Sequence, residues 1–214
     1  IASEMGWDYR HATLPADWGQ ERYERLPQAL GKGDGHLDVL KLSRVLWDQE
    51  QKALEYNAAV WGHAGELLRG LYWLQELLNL GASRDVNYDR LLDYRLMPPV
   101  DHTVFSAIGR VEWIRQEVRS DLKSVGDRYA DSPNTVKLDC IILLCKDPGF
   151  TGALISAAMG QQRVIVPYLL KDALDFVIST HFKWRNPGRL VRLLLEKVNP
   201  AVARVETTRG GPAL

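Results

Sequence analysis

Two cysteines in 214 residues are too few for a disulfide framework. Cys140 and Cys145 lie five positions apart in one apolar run that reads as a strand. Alternation then points them to opposite faces, where they cannot bond each other. Free thiols fit a reducing, intracellular compartment. The chain opens on Ile1 rather than Met, so a trimmed N-terminus is expected and an organelle stays open as its destination. Charge of one sign is also missing. The 27 basic and 27 acidic residues cancel, which removes global charge as an argument for nucleic acid or membrane binding. No uninterrupted apolar run approaches the ~18 residues of a spanning helix, so no membrane span is expected. The five histidines, His11, His36, His63, His102 and His181, are scattered. None shares the three- or four-residue spacing that puts two ligands on one helix face, so no metal site is expected. No Gly-x-Ser-x-Gly elbow is present, and Ser156 falls within a small-residue stretch. Gly31-Lys32-Gly33-Asp34-Gly35 follows no strand and lacks the Lys-Ser pair of a phosphate loop.

An apolar fraction of 46% is ample for a core without covalent staples. Val136–Cys145 is nearly continuous in apolar, largely β-forming residues, and Asp147-Pro148-Gly149 reads as its stop. A short helix over 151–160 and a second apolar run near 163–170 follow. Strands apolar on both faces belong to covered, usually parallel sheets. The expected fold is therefore helix-dominated α/β, with a helical N-terminal two-thirds packed on a small, mostly parallel sheet whose strands lie near 136–145 and 163–170. Two strands alone are marginal, so a further strand is expected near Tyr129 or over 201–206, or from another chain.

Residues 1–35 read as an irregular aromatic arm and linker carrying Trp7, Tyr9 and Trp18, with a short helix over 21–30. Residues 36–206 form a single α/β domain, and 207–214 an unstructured tail. Helical spacing runs from Leu37 to Leu80, bent at 61–65. The part from Leu67 to Leu80 is apolar nearly all round, which suits a core helix or a subunit interface. Asp89–Leu96 predicts a short helix, and Asp101 caps another reaching Val125. Lys171–Thr180 and the segment after Asn186-Pro187, ending at Asn199-Pro200, are helical as well.

Three constellations bear chemistry. Lys146 ends an apolar strand that a helix and another strand follow, and metal-dependent phosphodiester hydrolysis needs converging carboxylates beside such a lysine. Over about 60 residues this order resembles the restriction-endonuclease-like fold. The resemblance implies Mg or Mn, with the first acid from Asp127, Asp131 or Asp139 and a helical one from Glu112 or Glu117. Leu144 stands where that pattern has its carboxylate, two positions before the lysine. The second constellation is the strand end at Gly149, Thr151 and Gly152, the usual place for an anionic ligand in an open parallel sheet. The third is basic and aromatic: Lys183, Trp184, Arg185, Arg189 and Arg192, within 181–192, suit nucleic acid or another polyanion.

No complete catalytic set emerges. The leading expectation is a non-catalytic subunit or protein-interaction module of a larger assembly, partnered by another copy or a different chain. The alternative is a metal-dependent nuclease or nucleotide-acting enzyme, active or degenerate.

Overall fold

The computed structural model describes residues 2–10, 13–33, 37–97 and 111–205. Helix dominates it, as the apolar spacing implies: 70% is helical, and the sheet has two parallel strands. Helix α1 is Ala2–Met5, α2 Trp18–Glu24, α3 Leu26–Gly33 and α4 Val39–Ala53. The expected irregular arm is thus partly helical, and Gly31–Gly33 lies inside α3 rather than in a linker. Trp18 docks on Trp47 with ring centroids 5.7 Å apart, while Trp7 and Tyr9 stay exposed. Asp38 starts α4 by accepting from the backbone N–H of Leu40 at 2.9 Å and of Lys41 at 3.2 Å, which satisfies two of the orphan donors at a helix start. Leu42 and Leu46, four apart, then bury one stripe of α4 against Ala29 and Ala157.

Strand β1, Ala58–Val60, pairs in parallel with β2, Arg163–Ile165, in the register Ala58 to Arg163 and Val60 to Ile165. Its three residues are too few to carry a readable alternation, so nothing in the sequence marks it as a strand. Between the strands lie two 3-10 segments, Gly65–Arg69 and Leu71–Asn79, separated by Gly70 at φ 61. The break divides what spacing alone suggests is one helix. Helix α5, Tyr88–Leu91, continues as a π turn over Leu92–Leu96, and α6 is Val111–Asp127. The expected cap Asp101 falls outside the described residues.

The largest correction concerns 136–145. This segment belongs to one helix, α7, running from Asn134 to Met159. A short apolar run fits a doubly covered strand and a buried helix equally well, and tertiary contacts select the helix. Leu138, Ile141 and Ile142 are fully buried, and Leu138 and Ile141 pack with Trp73, Leu91, Leu92 and Leu122. Asp147-Pro148-Gly149 does not stop the helix. One π turn, Ile142–Lys146, precedes Pro148 and a second, Pro148–Gly152, begins on it, and together they absorb a residue that lacks an N–H and would clash in regular α-helix. Cys140 and Cys145 are therefore on a helix, and both are free. Helix α7 is also long and apolar enough to cross a membrane by length and composition, a property hidden by its interrupted apolar runs. A globular core helix passes the same test, and here Lys137 and Asp139 are buried against neighbouring elements.

After β2, Pro167–Leu169 makes a 3-10 turn in place of the rest of the expected strand. Helices α8, Lys171–Ser179, α9, Phe182–Arg185, α10, Arg189–Val198, and α11, Pro200–Ala203, complete the described chain. The cis Asn186–Pro187 bond precedes α10, whose N-cap is Gly188 rather than Asn186. Neither extra strand forms at the suggested places. Tyr129 lies in a turn, and Pro200–Ala203 is helical. Residues 207–214 lie outside the described residues.

Candidate functional site

The segment Leu71–Asn79 is turned inside out. With three residues per 3-10 turn, positions three apart stack on one line. Leu71, Leu74 and Leu77 occupy one such line and are exposed, and the adjacent Leu78 is 95% exposed. The other two lines face inward as far as Glu76, with Tyr72 and Gln75 on one and Trp73 and Glu76 on the other, all buried, and emerge at Leu78 and Asn79. Glu76 accepts from Arg84 at 2.6 Å and from the Asn87 N–H at 3.0 Å, and Gln75 Nε2 donates to the Tyr72 carbonyl at 2.6 Å, while Gln75 Oε1 is buried with no donor among the described residues. Two inward polar side chains hold the segment while its leucines face out.

Behind this segment sits an ionic knot. Arg185 Nη1 donates to Asp139 Oδ2 at 2.7 Å, with both side chains 1% exposed. Its Nε and Nη2 donate to the Leu67 carbonyl at 2.9 and 2.6 Å, and Nη1 also reaches the Val177 carbonyl at 3.1 Å. Trp73 Nε1 donates to Asp139 Oδ1 at 3.1 Å, and its ring lies 4.3 Å beneath the guanidinium. Burial pushes the Asp139 carboxyl up to about 6, against the pull of Arg185 and Trp73. The pair thus ties α7, α8, α9 and the 3-10 segments together, and it accounts for both an expected catalytic acid and an expected polyanion ligand.

Lys146 sits in a third group. Its Nζ donates to Tyr72 Oη at 2.8 Å and to Asp147 Oδ1 at 3.1 Å, which also accepts from Thr151 Oγ1 at 3.1 Å. The ammonium stands 5.1 Å from the Tyr72 ring centre and 5.2 Å from that of Phe150. Burial pulls Lys146 down, but the Tyr72 and Asp147 contacts outweigh it and leave it raised. Tyr72 is raised because burial exceeds the effect of Lys146. Both groups are held in their ordinary protonation states, cationic and neutral, unlike a poised acid–base pair.

The remaining expected site residues are spread apart. Glu112 is exposed on α6 and accepts from Gln116 at 3.3 Å, and Asp131 is exposed in the following turn. Among the described residues, no three His, Cys, Asp or Glu side chains form a group fit for a metal ion. Gly149, Thr151 and Gly152 lie within α7, not in a loop beyond a strand end. Lys183, Trp184, Arg189 and Arg192 are exposed around α9 and α10, but Arg189 already covers the Trp184 ring at 4.5 Å. Burial raises both thiols, against nucleophilic use. Comparison with protein-family models, curated proteins and solved structures finds no significant match for the chain.

Proposed function

We propose that the chain is a non-catalytic subunit or protein-interaction module of a larger assembly. The observation that carries this reading is the exposed line Leu71, Leu74 and Leu77 beside Leu78, on a segment that buries Gln75 and Glu76. Scattered exposed leucines are ordinary, whereas four exposed within eight residues of one short segment are of the kind found at contact sites. Helix α10 adds to it. The helix is sharply two-faced, yet none of its residues is fully buried, and Leu194 and Val198 are 42% and 80% exposed. Its N-terminal Leu190 and Val191 pack beside Leu67 and Leu68 on the 3-10 segment that precedes the leucine line.

A photo-crosslinking residue in place of Leu77, in the chain expressed in cells, tests the reading. Adducts at position 77, absent when the same residue replaces the exposed Lys171 on α8, support it. No adduct at 77, together with a monomer by light scattering at millimolar concentration, overturns it. L74E/L77E should abolish association while leaving the far-ultraviolet circular dichroism unchanged.

A further inference from the structure

A cleft of about 570 Å³ opens beside β1, away from every group described so far, between the C-terminal part of α4, the residues after it and the strand itself. Gln49 and Gln162 line it, 5% and 7% exposed. Gln162 Nε2 donates to Gln49 Oε1, while Gln162 Oε1 is buried and has no donor among the described residues. A carbonyl oxygen in that condition is costly, and it calls for a partner.

The strand supplies the second observation. Trp61 N–H donates to the Ile165 carbonyl at 2.8 Å, toward β2. Backbone groups alternate in direction along a strand, so those of Ala58 and Val60 point away from β2. Among the described residues no strand pairs with that edge, and Ala58 and Val60 line the cleft. An open edge is a template for another strand.

Charge narrows the occupant. Asp8, Asp48 and Glu55 at the rim outnumber Arg10 and Lys52. Arg10 is already paired with Asp8 and Glu55 at 2.8 and 2.6 Å, and Lys52 with Asp48 at 2.5 Å. A phosphate would meet a surplus of carboxylate, whereas a neutral or basic segment would not.

We propose that this cleft binds an extended peptide segment of another protein, neutral or basic in composition, which adds along Ala58–Val60 as a third strand and donates an N–H to Gln162 Oε1. The inference goes beyond the module reading. The cleft and the leucine line share no residue, so either can fail alone.

The probe is the blocked peptide acetyl-Lys-Val-Thr-Val-Lys-amide, titrated into the isotope-labelled full chain while the amide resonances of Ala58 to Trp61 are followed. Saturable shifts there are expected, at least threefold weaker when both lysines are replaced by glutamates. V60P should weaken binding at least tenfold, since it removes an N–H that the ladder to β2 does not use. Q162L, which removes the waiting acceptor without touching the strand, should weaken it several-fold and serves if V60P does not fold. The proposal is overturned by the absence of saturable shifts at millimolar peptide or by binding indifferent to both substitutions. Equal shifts from inorganic pyrophosphate, or shifts on concentrating the chain alone, would assign the cleft to an anion or to a second copy and overturn it as well.

Discussion

Arg185 and Asp139, 46 residues apart in sequence, meet at 2.7 Å in the interior with almost no exposure of either side chain. Removing one member of such a pair strands the other charge, at a cost of about 3–5 kcal/mol. R185M should destabilise the chain by that amount in urea unfolding. D139L/R185M should recover part of the loss, since no charge is left stranded. The recovery should be incomplete, because the Leu67 and Val177 carbonyls and Trp73 Nε1 lose their partners. A double variant no more stable than R185M would show that the pair's hydrogen bonds, not its charges, dominate.

Asp139 predicts a pH dependence of definite sign. Its folded-state value of about 6 lies above the ordinary carboxylate value near 3.9. Between roughly pH 4 and 6 the folded chain retains a proton that the unfolded chain has released. This group's stabilising contribution is therefore complete below about pH 4, and it declines as pH rises through 6. The stability of the wild type minus that of D139N should fall over this window. A rise instead would mean that Arg185 outweighs burial and holds the carboxyl below its ordinary value.

Trp73, fully buried between Arg185 and the leucine-rich core, fills volume and donates a hydrogen bond at once. W73F keeps most of the volume but leaves Asp139 short of a donor, which should cost about 1–3 kcal/mol in thermal or urea unfolding. W73A adds a cavity and should cost about 3–5 kcal/mol. Equal losses in the two variants would assign the whole effect to the hydrogen bond.

Gly81 is a position where no side chain fits. It has φ 76, and a Cβ there would lie 2.1 Å from the Phe182 ring. G81A combines a left-handed backbone with overpacking, and should destabilise by about 2–4 kcal/mol. G81A/F182L should recover the steric part only. If G81A alone unfolds at the wild-type urea midpoint, the Phe182 ring yields to the added methyl group at no cost.

Several elements were legible locally because their causes are local. The Leu42–Leu46 stripe marks α4, Lys171–Ser179 follows its periodicity, and α10 is amphipathic within its own ten residues. The strand near 163 was legible too, though only Arg163–Ile165 pairs. The candidate site was legible in part. The apolar stretch from Leu67 to Leu80 reads as core or interface, but its division at Gly70 and the three-residue winding that turns Leu71, Leu74 and Leu77 outward do not show in composition.

What the sequence by itself determined is the class: a largely helical chain with a small parallel sheet, apolar enough to bury a core. Only the tertiary structure decided that Val136–Cys145 is helix, because a run apolar on all sides satisfies a covered strand and a buried helix alike until its neighbours are known. The same holds for β1, where Ala58–Val60 acquires its role only from pairing with residues a hundred positions later. It holds most for Asp139 and Arg185. Read locally, one is a candidate metal ligand and the other a polyanion contact, and the fold neutralises each with the other because neither charge can be buried alone.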